Sequence, residues 1–247
     1  VHRFFLSADE WNSSEPQLSS EESHHATNVL RLKSGDRITV FDGLGHEATA
    51  TIKSESGQNS IAIGPRTTSA ALKCKITLAQ AIPKGKTMDL VIQKAVELGA
   101  AKIAPILSER TIVRLDEEEA EKKRLRWQDV ALEACKQCGQ NTLPEVSTPL
   151  SPDEFLKRET PADLMLVASL QPGSRRLHSI LEDFQAQHDG KLPTSATILI
   201  GPEGDFTPAE TAAALSAGCQ PVTLGPIILR TETAAIYCLS VLAHELF

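Results

Sequence analysis

The sequence predicts an α/β protein in which a mostly parallel sheet carries helices on both faces, with a small β-rich domain in front of it. Three observations predict it. From Lys75 onward, strand-length apolar runs alternate with segments at helical spacing, the pattern of parallel strands joined by crossover helices. The first seventy or so residues instead offer short strands around a glycine-rich turn. Between these parts, Gly64–Lys73 ("GPRTTSAALK") has few large apolar groups and reads as a connection. The expected domains are therefore residues 1–72 and 73–247.

The elements follow in order. "RITVF" (Arg37–Phe41) and "EATATI" (Glu47–Ile52) are strands flanking "DGLGH", and "SIAIG" (Ser60–Gly64) adds a third. "SSEESHHATNVLRL" reads as helix, with Ser19 and Glu22 spaced as a capping box. In the second part, "KITLAQAI" is a strand. "KTMDLVIQKAVELG" is a helix by its apolar positions Met88, Val91, Ile92, Ala95 and Val96, with Gly99 placed to end it. "KIAPIL" is a strand, and "EEEAEKKRLRWQDVALEACKQCG" a long helix with acids early and bases late, as the helix dipole favours. Then come "DLMLVASL" (strand), "SRRLHSILEDFQAQ" (helix), "ATILIG" (strand), "TPAETAAALSAG" (helix), "PVTLG" (strand) and "TETAAIYCLSVLAHEL" (helix).

Bulk properties bound the function. With 41% hydrophobic and 23% charged residues, the 247-residue chain has a globular composition. A net charge of -7 argues against sequence-blind adhesion to nucleic acid but leaves room for a local basic patch. No apolar run approaches the roughly 20 residues of a bilayer helix, and "VHRFFLSADEWNSSEP" turns polar too soon for a secretory signal, so a cytoplasmic setting is expected. Five scattered cysteines suggest reduced thiols rather than a disulfide framework. Cys135 and Cys138 form a lone C-x-x-C within a helical pattern without a second ligand pair, so no metal is expected. The P-loop, the dinucleotide fingerprint and the G-x-S-x-G elbow are missing from the sequence.

Ligands in parallel sheets bind beyond the carboxyl ends of strands, and two strand ends carry unusual loops. Gly201-Pro202-Glu203-Gly204 leaves "ATILI", and Gly225-Pro226 leaves "PVTL" ahead of Arg230-Thr231-Glu232-Thr233. Glycine admits a ligand close to the backbone and proline stiffens the loop. A plainer reading stands beside this. Thr207-Pro208-Ala209-Glu210 is a capping box that starts a helix, Arg230 and Glu232 fit an ion pair at a helix start, and Thr231 or Thr233 fits a cap.

At these residues the sequence resembles a known family. "VIQKAVELGAAKIAPILSERTIVR", "RWQDVALEACKQCGQNTLPEV", "LIGPEGDFTPAE" and "VTLGPIILRTETAA" are similar to blocks of the RsmE family, ribosomal RNA small-subunit (uracil-N3)-methyltransferases of the SPOUT class. "HHATNVLRLKSGDRITVFDGLG" resembles its PUA-like RNA-binding domain. The resemblance covers nearly the whole chain. It implies a SPOUT-type trefoil knot in the C-terminal part, an exception to the rule against knots, and a PUA-like β-barrel in the N-terminal part. It further implies S-adenosylmethionine as cofactor, a homodimer bordering the site, and methylation of N3 of a uridine in the decoding region of small-subunit ribosomal RNA, free or in the subunit. Ile227 and Gln140 stand where members commonly carry arginine, and Asp205 where glycine is common.

On this resemblance the expected cofactor residues are Ile200, Gly201, Pro202, Glu203, Gly204, Leu224, Gly225, Leu229, Arg230, Thr231, Glu232, Thr233 and Ala234. Arg230 is expected to stabilise the uridine anion, with Glu232 orienting it by a bidentate pair or taking the proton. Arg3, His24, Arg31 and Lys33 are the expected RNA contacts, with Arg37 a further basic neighbour; each taken alone also fits a solvated surface group. Two other readings stay open: an inactive RNA-binding or assembly protein of the same fold, and a SPOUT methyltransferase with another RNA substrate.

Overall fold

The computed structural model describes residues 2–55 and 58–247. In chain order the elements are β1 (Arg3–Phe5), α1 (Ala8–Asn12), α2 (Ser20–His24) continued by a π-helical turn (His25–Val29), β2 (Arg37–Phe41), β3 (His46–Glu55), β4 (Gln58–Thr68), β5 (Lys75–Ala81), α3 (Thr87–Glu97), β6 (Ala100–Ile106), α4 (Glu117–Cys138), β7 (Glu145–Val146), α5 (Pro152–Arg158), β8 (Leu164–Ala168), α6 (Leu177–Gln187), β9 (Ser195–Ile200), α7 (Pro208–Ser216), β10 (Gln220–Val222) and α8 (Thr231–Leu246). Two compact units result. One comprises Val1–Ala71 with Leu132–Leu143, the other Leu72–Ala131 with Pro144–Phe247. The end of α4 thus groups with the N-terminal unit, which sequence spacing does not reveal.

In the N-terminal unit, strands β1–β4 form a sheet in sequential order, β1 parallel to β2 and the other pairs antiparallel. Strand alternation turns Ile38 and Val40 inward onto Phe4, Leu6, Trp11 and Ile52. β4 runs on to Thr68, so part of the expected connection at 64–73 is strand, because Arg66–Thr68 still pair with His46–Ala48. Ser19 caps α2 by accepting from the Glu22 N–H at 3.2 Å, but the expected capping box does not close. The Glu22 carboxylate instead accepts from the Phe5 N–H at 3.3 Å and pairs with Lys136 of α4 at 2.5 Å.

In the other unit the strands run β10-β8-β9-β5-β6-β7, every neighbouring pair parallel. α5 and α7 cover one face, where Ala79, Ala104, Val167 and Leu199 meet Phe155 and Ala214. α3 and α8 pack on each other, α3 also against β6 and α8 also against β5 and β9. Gly99, at φ 78°, ends α3 as its placement suggests. The strand order directs the site: the chain leaves β10 at the sheet edge, passes β8 and β9, and begins α8 beside β5.

Candidate functional site

The carboxyl ends of β8 and β9 meet the loop after β10 around a cavity of about 450 Å³, within the range of small-molecule sites. Each bend has a local cause. After β9, the Asp205 N–H donates to the Pro202 carbonyl at 2.9 Å, closing a tight turn. A Cβ on Gly201 would stand 3.2 Å from Asp205 Oδ1 and the Phe206 nitrogen, so the turn folds over a residue without a side chain. Thr207 and Glu210 form the expected capping box of α7, with Pro208 in its first turn. Glu210 also accepts from Ser108 and from the Glu109 N–H, bracing the bend from the loop after β6. After β10, Gly225 takes φ 111°, which a side chain rarely adopts.

One hydroxyl ties the start of α8, where the loop after β10 ends, to the first bend. Buried Thr231, the first residue of α8, donates to the Gly201 carbonyl at 2.8 Å and accepts from Gln80 Nε2 at 2.8 Å. Gln80 is wholly buried on β5, and its Nε2 also reaches the Ala81 carbonyl. Thr231 therefore serves as a clip, while Arg230 occupies the cap position without a side-chain capping bond.

The cavity gathers most of the expected cofactor residues: Ile200, Gly201, Pro202, Glu203, Gly204, Leu224, Gly225, Leu229, Arg230, Thr231 and Ala234. Glu232 and Thr233 do not line it. Ile227 and Ile228 of the expected Leu224–Ala234 span and Asp205 beside Gly204 also line it, and three lining residues escaped sequence reasoning, namely Ala168, Ser169 and Leu170. These three end "DLMLVASL", so the rule that ligands sit beyond strand ends carried the signal for them.

The expected pairing of Glu232 with Arg230 is corrected. Among the described residues Arg230 has no carboxylate within ion-pair distance. Arg230 is extended at φ -65°, ψ 153°, and Glu232 lies two residues on inside α8; residues so spaced do not face each other. The exposed guanidinium at the cavity wall is unneutralised. Walls of this kind, with glycine-exposed backbone and aliphatic side chains relieved by a few polar groups, suit a flat nucleoside carrying a polar tail. The residues present thus fit S-adenosylmethionine.

Comparison with known proteins bears on the same residues. The family described as an RNA methyltransferase domain matches residues 70–243, and the RNA methyltransferase PUA domain matches residues 18–63. The chain is 34% identical over 232 residues to ribosomal RNA small subunit methyltransferase E of Bacillus subtilis, covering 92% of this chain and 89% of that protein. The chain belongs to the RsmE family. The Synechocystis member is 31% identical, covering 90% of this chain and 71% of its own. The Neisseria gonorrhoeae member, solved bound to S-adenosylmethionine, superposes with a TM-score of 0.85 at 34% identity, over 99% and 98% of the two chains.

Family membership makes the departures informative. Asp205 sits at φ 61°, in the left-handed region that glycine adopts without strain. Aspartate tolerates that backbone by accepting from the Phe206 N–H at 2.8 Å. Ile227 lies on the cavity wall, 73% exposed. Gln140 turns its side-chain carbonyl onto the Asn141 N–H at 3.1 Å.

The expected RNA contacts separate into two groups. Arg3 is corrected: it donates to Glu47 at 2.9 Å and to Asn141, and its guanidinium lies 5.1 Å over the Phe41 ring. Those bonds hold the Glu47 carboxyl below its usual range and leave Arg3 committed to the fold. His24, Arg31, Lys33 and Arg37 are exposed. Arg31 does so from a left-handed backbone at φ 55°. Among the described residues no metal-holding cluster of His, Cys, Asp and Glu occurs, and no helix is long and apolar enough to cross a membrane.

Proposed function

We propose that this chain methylates N3 of a uridine in small-subunit ribosomal RNA, using S-adenosylmethionine held between the two glycine-proline bends. Methyl transfer to small-subunit ribosomal RNA follows from family membership and the relatives' activities. The observation that carries the finer reading is the unneutralised Arg230 guanidinium on a cavity wall that Thr231 clips to the Gly201 bend and to Gln80 of β5.

Ile200–Gly204 and Leu224–Ala234 hold the cofactor, with Ala168–Leu170 closing the wall. Bound there, S-adenosylmethionine supplies an electrophilic methyl group on a sulfonium. The chain's part is to prepare the nucleophile and fix its approach. Uridine N3 is weakly nucleophilic while it holds its proton. Loss of that proton spreads negative charge over O2 and O4, and Arg230 stabilises the charge. With the orienting pair absent, proton acceptance through a bridging water remains for Glu232, which follows Thr231 on α8.

His24, Arg31 and Lys33 contact RNA phosphates from the N-terminal PUA domain, whose sheet this reading takes to close as a barrel. The SPOUT trefoil knot belongs to the same reading, supported by the passage of the chain from edge strand β10 across β8 and β9 to Gln80 of β5. A homodimer covers exposed Leu170, Ile227, Ile228 and Tyr237. The enzyme works in the cytoplasm, where ribosomal RNA is processed. Mass-spectrometric maps of ribosomal RNA nucleosides test the function. Deletion of the gene should remove one 3-methyluridine from small-subunit RNA, and an unchanged map would refute the assignment.

A further inference from the structure

We infer that the loops after β5 and β6 form a second phosphate-binding surface, a basic rim beside the cavity that grips the RNA backbone next to the target uridine. The inference rests on the proposed RNA substrate. Lys84 and Lys86 stand exposed on the turn after β5, and Arg110 and Arg114 on the loop after β6. Both loops are tied to the cofactor bend. The Lys84 N–H donates to Glu203 Oε1 at 3.3 Å, and Arg110 Nη1 donates to the Gly204 carbonyl at 2.6 Å. The Arg110 side chain also lies over Gly204, its Cδ 3.5 Å from where a Cβ would stand. Arg114 folds back to donate to the Thr111 and Glu109 carbonyls at 2.9 and 3.1 Å.

The bonding partners decide what these cations are free to do. Both arginines are anchored by backbone carbonyls, which fix a guanidinium in place without cancelling its charge. Among the described residues none of the four has a carboxylate within ion-pair distance. The acids nearby are largely engaged. Glu210 accepts from Ser108, Glu109 and Thr207. Asp116 and Glu119 cap each other's N–H groups. Glu203 receives the Lys84 N–H, and the carboxylates of Glu109, Glu117 and Glu118 remain. On a chain of net charge -7, pre-positioned cations beside a methyl-transfer cavity fit a polyanion threaded past it. Phosphate contacts of this kind position the substrate without reading its sequence.

The test measures binding of the full chain to a fluorescent small-subunit ribosomal RNA transcript across a salt series. Wild type, Lys84→Ala/Lys86→Ala, Lys84→Arg/Lys86→Arg and Arg110→Ala are compared, with S-adenosylmethionine affinity followed by calorimetry. Each phosphate contact on a single strand contributes about 0.7 to the slope of log affinity against log salt. The double alanine variant should therefore lose about 1.4 of slope and raise the RNA KM, with donor affinity unchanged. The double arginine variant should restore both. Arg110→Ala, which removes one contact, should lose about 0.7 of slope. Slopes equal to wild type in both alanine variants, or wild type that does not bind the transcript, would overturn the rim. If wild type binds RNA with these slopes yet transfers no methyl group, the rim stands and the proposed reaction falls.

Discussion

Arg230 and Asp205 show how much single positions carry. In the proposed mechanism Arg230 contributes charge stabilisation, and it is not part of the Thr231 clip that closes the cavity. Arg230→Ala should leave donor affinity within a few-fold of wild type and lower single-turnover rates on the order of 10²–10³-fold, the usual cost of losing one transition-state donor. Single-turnover rates equal to wild type would remove Arg230 from the mechanism. Glu232→Gln has a distinct signature. If Glu232 takes the N3 proton, the deficit is largest at low pH and shrinks as the solution itself ionises the uridine; a deficit constant with pH contradicts proton acceptance. Asp205 holds a left-handed backbone that costs a side chain roughly 1–2 kcal/mol. Asp205→Gly should therefore keep activity and relieve part of that cost, less the lost bond to Phe206, as read in chemical denaturation.

Among the elements, α4 has the most testable energetics. Its Lys136 forms a largely buried pair with Glu22 and also meets Glu133. Burial lowers the Lys136 pKa, but bonds to Glu133 and Glu22 outweigh it and leave the value raised. A raised lysine pKa stabilises below the ordinary lysine value, and that contribution is lost as pH rises through the folded value. Lys136→Met strands the Glu22 carboxylate and should cost about 3–5 kcal/mol, while the pair's joint replacement by apolar residues should cost far less. The same scale shows what the sequence made legible. Sequence pattern located β2, β5, α3, β9 and α8 within a residue or two. The helix α3 shows its apolar face at helical spacing, while the central strands β5 and β9 read as near-continuous apolar runs buried on both faces. It missed β1, β7 and α1, which are too short to show a period. It also missed α5, although Ser151-Pro152-Asp153-Glu154 carries the capping box that starts it. The partner of Glu22 was illegible because Lys136 lies more than a hundred residues away.

For the whole molecule, the site was legible as two loops but not as a cavity. Glycine-proline pairs marked the bends. The Thr231 clip and the Ala168–Leu170 wall depend on strand order, which alternation alone does not give. The proposed knot and dimer rest on resemblance, since no local pattern encodes threading or a second copy. Titration acts at this scale too. Burial pushes Cys135 and Cys238 up to about 12 and Cys74 and Cys219 up to about 11, from an ordinary value of 9.0. These thiols stay protonated in the fold and ionise once it opens, so stability is full below pH 9 and erodes as pH climbs toward the folded values. Exposed Cys138 should take up a thiol reagent in the native state well before the other four, by mass spectrometry of the labelled chain.

The claim beneath all of this is spatial: two bends far apart in sequence close on one methyl donor. Calorimetric titration of the full chain with S-adenosylmethionine and its demethylated product tests it most directly, alongside Gly225→Val, which forces a branched side chain into a left-handed backbone. Saturable binding of both molecules by wild type, weakened at least tenfold in the variant, is the expected result. Wild type that evolves no binding heat with either molecule across a range of temperatures, and whose melting temperature neither molecule shifts, would contradict it.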